Sequence, residues 1–218
     1  EQSNVDNLNI EDCVPLICLH KGMLLLVEGK KKEALTFLTK VEEQNFSSIR
    51  IKELLFYSFL KLNEKNKAEK FFKEMSLKDS NLKPYRMSYF LNNDYLLNPI
   101  KTQKDGLAET LYNISSWYYQ KNLLKYSIFF GKLSLRIRPN FNAMKLLVAN
   151  ALEEIGYEQL AIELISNVNK RNLYFMKFIK LKNSLQENSL FEKQLLNELK
   201  NLSKTFPKNW QITLLLAD

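Results

Sequence analysis

The apolar positions of this chain fall three and four residues apart, in paired stripes separated by a single turn residue, which predicts antiparallel helix pairs. Cys18, Gly22 and Leu25 make the first stripe, and Ala34, Leu38 and Val41 make the second. Gly29 between them accepts the positive φ that ends a helix. Leu55, Phe56 and Phe59, the turn residue Asn63, then Ala68, Phe72 and Met75 repeat the arrangement. A third pair carries Leu111, Ile114 and Tyr118, a turn at Asn122, then Ser127, Phe130 and Ser134 up to Pro139. The fourth has Val148, Ala149 and Leu152, Gly156 at the turn, then Ala161, Ile165 and Val168. A weaker fifth pair is expected at residues 173–185 and 190–202, with Leu195 in the position of the alanines, followed by a last helix at 210–216.

The phase of these units is regular. The interval from Ala34 to Ala68 recurs unchanged from Ser127 to Ala161 and from Ala161 to Leu195. Small residues at Gly22 and Ala34 let two helix axes approach closely, where a leucine would push them apart. From Ala68 to Ser127 the separation is more than one such interval and less than two, so the register breaks. Residues 82–97 read as one further helix, either a degenerate repeat or an insertion. It ends at Asn98-Pro99, because the residue before proline is driven out of helical geometry.

The recurring interval, about 34 residues, is the length of the helix–turn–helix unit of tetratricopeptide repeats. The segments Gly106-Leu107-Ala108-Glu109-Thr110-Leu111-Tyr112-Asn113-Ile114, Ser127-Ile128-Phe129-Phe130, Leu133-Ser134-Leu135-Arg136-Ile137-Arg138-Pro139 and His20-Lys21-Gly22 resemble a group of long bacterial, mostly alphaproteobacterial, tetratricopeptide proteins of undefined activity. The usual tryptophan of the first helix is replaced by Cys18, Lys52, Leu111, Lys145 and Ile179. The resemblance implies an all-α fold, a right-handed superhelical solenoid of antiparallel pairs with about 11–12 helices. Residues 1–12 would be a polar lead-in and 13–218 the solenoid. Its units fall near 15–45, 46–79, 105–139, 140–170 and 171–207, with the additional helix at 82–97 and a truncated one at 209–218.

Composition agrees with helices, since Gly and Pro number only 5 each and hydrophobic content is 45%. The net charge of +8 comes from lysines scattered among glutamates, with Lys30-Lys31-Lys32 and Arg136-Ile137-Arg138 as the densest clusters. Without a long basic block, this reads as solvation of helix exteriors. Cys13 and Cys18, five apart, are expected to be buried free thiols, which leans toward a reducing compartment. The most apolar stretch, residues 14–27, contains His20 and Lys21 and falls short of the roughly 18 apolar residues of a membrane helix, so no membrane span is expected. A start at Glu1 predicts a native N-terminus upstream, and the compartment stays open between cytoplasm and periplasm. The apolar terminal helix predicts that the array continues and that Trp210, Ile212, Leu214 and Leu215 seek a partner, a second copy of this chain included.

Enzymatic patterns do not emerge. There is no Gly-rich phosphate loop and no metal-ligand spacing, so neither cofactor nor metal is expected. His20 reads as a packing or surface histidine. Glu42-Glu43 and Glu153-Glu154 are adjacent pairs that point to different azimuths of a helix. The expected function is a non-enzymatic protein–protein interaction scaffold that binds a peptide or partner protein on its concave face. In such stacks the first helix of each unit lines the concave side. That maps the binding wall to Arg50, Glu53, Tyr57, Lys61, Glu109, Tyr112, Ser116, Tyr119, Asn150, Glu153, Lys177, Lys180 and Ser184, a mixed polar and aromatic set suited to peptide recognition. Asn150 and Lys177 imitate part of the two-carboxylate clamp of chaperone-binding relatives, but Leu146 and Leu181 stand where that clamp needs basic side chains. The alternative is a basic helical solenoid that binds nucleic acid.

Overall fold

The computed structural model describes residues 13–43, 48–78, 87, 100–168, 172–185, 189–205, 207 and 210–217. The expected lead-in at 1–12, and the expected helix at 82–97 apart from Met87, lie outside the described residues. The described residues form eleven helices and no strand: α1 Pro15–Val27, α2 Lys31–Glu43, α3 Ile49–Lys61, α4 Lys65–Lys78, α5 Gln103–Gln120, α6 Leu124–Ile137, α7 Asn142–Glu154, α8 Glu158–Ile165, α9 Phe175–Leu185, α10 Ser189–Thr205 and α11 Trp210–Ala217.

Local chemistry sets the boundaries. Pro15 opens α1, where its missing N–H costs nothing. Ser48 caps α3 by accepting the Ile51 N–H at 3.2 Å. Thr102 and Asp105 form a reciprocal capping box on α5, with Asp105 N–H donating to Thr102 Oγ1 at 3.2 Å and Thr102 N–H to Asp105 Oδ2 at 2.9 Å. The four expected turn residues all take the left-handed conformation, with φ of 78° at Gly29, 61° at Asn63, 57° at Asn122 and 79° at Gly156. Gly29 and Asn63 are one repeat interval apart, as are Asn122 and Gly156, so the period marks backbone turns as well as side-chain stripes.

Packing follows chain order. Helices pair as α1 with α2, α3 with α4, α5 with α6 and α7 with α8, and α5 touches α7 as α7 touches α9; the expected fifth pair departs from this, since among the described residues α9 packs on α7 and α8 while α10 packs on α11. Ala34, Ala68, Ser127 and Ala161 are wholly buried. A Cβ on Gly22 would stand 2.9 Å from Leu38 Cγ, so α1 and α2 meet at this glycine. At Gly131, α6 presses on α7, and a Cβ there would collide with Val148 and lie 3.2 Å from Met144 Sδ. The α5–α6 seam is held by small hydroxyls: Ser115 Oγ donates to the Ser127 carbonyl at 2.8 Å and Ser134 Oγ to the Ala108 carbonyl at 2.9 Å. Ala108 and Ser115 thus take the seam positions, and Ile114 turns instead toward α1.

Two arrangements depart from a simple sequential stack. First, α1 packs against α5, two units further along, with Val27 Cγ2 3.9 Å from where a Cβ on Gly106 would sit. Second, every residue from 50 to 58 is buried, so α3 is enclosed on all sides although it carries Arg50, Lys52, Glu53 and Ser58. A helix buried all round is ordinarily apolar all round.

The expectation of free thiols is corrected: Cys13 and Cys18 are joined in a disulfide, with Cα atoms 5.5 Å apart. Cys13 precedes the extended N-cap Val14 and so escapes helical spacing. Its Cα then comes within the range that a disulfide spans. The ground for expecting a reducing compartment goes with it. In α11, Ile212 is buried within the chain, while Trp210 and Leu214 are exposed. Leu195 belongs to α10, but its side chain lies outside the described residues.

Gly131→Ala should cost about 1–3 kcal/mol in urea unfolding, since the overpacked methyl must displace Val148. An unchanged unfolding midpoint would contradict the close approach of α6 and α7.

Candidate functional site

The first helices of successive units direct their N-terminal turns to one place, and that place is filled with charge. Arg50, on the first turn of α3, donates from Nε to Glu109 Oε1 on α5 at 2.8 Å, and its Nη2 bonds the same oxygen. Its Nη1 reaches Glu53 Oε2 one turn later at 2.9 Å. Glu109 Oε1 also accepts from Arg138 Nη1 at 3.3 Å, and Arg138 Nε meets Asp105 Oδ1 at 3.0 Å. The carboxylate that closes the α5 capping box therefore also holds the end of α6. Tyr174, just before α9, donates its hydroxyl to Glu53 Oε2 at 3.1 Å across 121 residues of sequence. Both guanidinium groups lie over the ring of Phe141, with Arg50 Cζ at 5.1 Å and Arg138 Cζ at 5.0 Å from its centroid. Tyr112 packs against that ring at 5.4 Å.

This network is enclosed. Arg50, Glu53 and Glu109 are at most 2% exposed. Desolvation pulls the Arg50 guanidinium down, but the carboxylates of Glu109 and Glu53 overcome it and hold it above the ordinary arginine value. Burial pushes the Glu53 carboxyl up to about 7 against the pull of Arg50. Burial lowers Arg138, aided by the nearby Arg50 charge. Burial also raises Tyr112 to about 12, with Glu109 adding to it. Raised carboxyls mark candidate active sites, but Glu53 is 1% exposed and is bonded to Arg50 and Tyr174. Its position fits a structural role.

The sequence placed Arg50, Glu53, Tyr57 and Glu109 on an open wall. The structure buries all four, because the face they share is covered by the chain's own segments before α7 and α9. Tyr112 is largely covered by Phe141. Lys61 ends α3, and its side chain lies outside the described residues. Arg138, read from the sequence as part of a cluster on a helix exterior, turns into the network instead.

Of the remaining predicted residues, Tyr119, Asn150, Glu153 and Ser184 lie in the C-terminal halves of α5, α7 and α9, whereas Lys177 is in the first turn of α9 and Lys180 in its middle. Tyr119 donates to Glu154, and Ser184 donates to Glu153 Oε1 at 3.0 Å. Asn150, Glu153 and Lys177 are half-buried, and Lys180 and Ser184 are exposed.

Ser116, also predicted, borders a different feature. A cleft of about 690 Å³ opens between α1, α3 and α5, lined by Leu16 and His20 from α1, Ile51 from α3 and Asn113, Ile114 and Trp117 from α5, among others. Its walls are mainly apolar, with hydroxyl and amide groups from Thr110, Ser116 and Gln120 at the surface. His20 Nε2 is buried with no hydrogen-bond partner, and burial lowers the imidazole's pKa, so the ring is neutral at pH 7. Sequence periodicity gave no sign of the cleft, since its existence depends on the long-range packing of α1 on α5. Among the described residues no group of three or more His, Cys, Asp or Glu is placed to hold a metal ion, and no helix is long and apolar enough to cross a membrane. Compared with known proteins, the chain matches no family model and no curated protein.

Arg50→Met takes the nearest cation from Glu53 and Glu109, leaving Glu109 to Arg138 and Glu53 to the Tyr174 hydroxyl, and should cost about 3–5 kcal/mol in denaturant unfolding. Joint replacement Arg50→Met/Glu53→Leu/Glu109→Leu should cost less than that single change, and the reverse order would contradict a network of mutual neutralisation.

The pH dependence has a definite sign. Between the ordinary glutamate value and about 7, folded Glu53 holds a proton that the unfolded chain has lost. Its stabilising contribution is complete at acidic pH and disappears as pH rises through the folded value. The stability difference, parent minus Glu53→Gln, should fall by roughly 1–3 kcal/mol from about pH 5 to about pH 8. A difference that stays constant over that range would contradict the raised carboxyl.

Proposed function

We propose that this chain is a non-enzymatic scaffold of tetratricopeptide-like helix pairs that binds a peptide or partner protein in the cleft between α1, α3 and α5. Support for the repeat reading comes from the recurrence of left-handed turns at the repeat interval and from the pairing of α1 with α2, α3 with α4, α5 with α6 and α7 with α8. The hydrogen bonds Tyr119–Glu154 and Glu153–Ser184 add to it, because they set equivalent ends of successive first helices side by side.

The observation that carries the binding site is the cleft itself. About 690 Å³ is within the range of preformed ligand sites, and mostly apolar walls with a few convergent polar groups are their usual lining. A short peptide segment with an apolar side chain would bury it against Leu16, Ile51 and Ile114. His20 Nε2 and the Asn113 amide would bond its backbone, and the buried nitrogen would then no longer lack a partner.

Peptides selected from a random display library against the intact chain provide the test. Bound peptides should quench or shift Trp117 fluorescence, and Asn113→Ala or His20→Ala should weaken them about tenfold, as expected for one lost hydrogen bond. Lys180→Ala, in the middle of α9, should leave affinity unchanged. Failure to select any peptide, or affinity lost at Lys180 and kept at His20 and Asn113, would refute the assignment.

A further inference from the structure

Charge is distributed very unevenly along this chain. Residues 110–152 contain no Asp or Glu, while Lys121, Lys125, Lys132, Arg136, Arg138 and Lys145 fall within them. Arg138 is drawn into the buried network. Lys125, Lys132 and Arg136 remain on the exposed face of α6 and make no ion pair among the described residues.

At 100° per residue these three cations form a single stripe along α6. Beside it runs a second stripe, Tyr126, Phe129 and Leu133, which are 57%, 57% and 39% exposed. Phe129 is its member nearest the cations. The apolar stripe continues past the turn to Leu123, 44% exposed, and to Trp117 at the end of α5, 54% exposed. Large apolar side chains exposed together, rather than singly, mark a contact surface.

We infer that the exposed face of α6, with the adjoining end of α5, docks on an anionic lipid surface. Charge complementarity selects the sign of the occupant: cations flank the apolar stripe, and α6 carries no carboxylate to repel it. The mixture of residues selects the kind. Aromatic rings with lysine and arginine beside them suit the headgroup boundary, where rings sit among acyl ends and cations meet anionic headgroups. Nucleic acid is the competing polyanion, and it would need free ring faces for base stacking. Here part of that ring surface is already engaged within the protein. Tyr118 stacks with Tyr126 at 5.3 Å and with Phe130 at 5.4 Å, and Trp117 and Tyr118 meet edge to face at 5.0 Å. Leu123 and Leu133 offer no stacking surface at all. With three principal cations the attachment is reversible and salt-sensitive, and no described helix is long and apolar enough to anchor it by crossing the bilayer.

Co-sedimentation of the whole chain with vesicles of pure phosphatidylcholine, or of phosphatidylcholine containing phosphatidylserine, tests this. Binding is expected only to the anionic vesicles and is reversed by salt. Lys125→Gln/Lys132→Gln/Arg136→Gln should lower the partition coefficient about 100-fold, roughly fivefold for each charge removed. Phe129→Ser should lower it about tenfold at unchanged salt dependence. All four side chains are exposed, so thermal midpoints should match the parent and misfolding is read separately. His20→Ala should bind vesicles like the parent, which separates this surface from the peptide cleft. Equal binding to both vesicle types, no binding to either, or retention of a single-stranded RNA oligomer with the anionic vesicles ignored would overturn the assignment.

Discussion

A charge held away from water must be neutralised within a few ångströms, and in this chain that requirement joins distant parts of the sequence. Arg50 sits at the start of the most enclosed helix, and its compensation comes from Glu53 and from Glu109, 59 residues away. Glu109 in turn holds Arg138, and Glu53 receives the hydroxyl of Tyr174. Phe141 takes both guanidinium groups on its ring. These contacts fix α3, α5, the entry to α7 and the entry to α9 around one centre. In a linear repeat array each unit touches only its neighbours and stability is a sum of nearest-neighbour terms. The packing of α1 on α5 and the reach of Tyr174 to Glu53 add couplings that such a sum omits.

Closure also decides where binding is possible. The wall that a string of helix pairs would offer at its N-terminal units is used for the protein's own cohesion, and the same packing opens the cleft that we propose as the recognition site. Leu16 and His20 border Asn113 and Trp117 only because α1 lies along α5. The cationic, aromatic face of α6 is a separate surface on the same helix pair, and Trp117 stands where the two meet.

Much of the fold was legible in the sequence because it is local. The turns at Gly29, Asn63, Asn122 and Gly156 follow from which residues tolerate positive φ, and the burial of Ala34, Ala68 and Ala161 follows from helical spacing. The binding wall was not legible in the same way. Arg50, Glu53 and Glu109 look like solvated residues by type and azimuth, and only partners dozens of residues away make their burial tolerable. Ser115 was invisible to a search for apolar stripes, though its hydroxyl, together with that of Ser134, which the stripe did include, lets α5 and α6 approach. The disulfide was missed because Cys13 lies outside the helix whose spacing was applied to it. A signal for the α6 face was available: the absence of any carboxylate from residues 110–152 is readable without coordinates.

Amide hydrogen exchange under native conditions addresses the closed architecture most directly. If the buried network couples the chain into one unit, the amides of α3 open only with those of α5 and α7, at the same free energy and with the same denaturant dependence. A chain of weakly coupled pairs would instead let α3 open with α4 several kcal/mol below α5 and α7. That result would contradict the account.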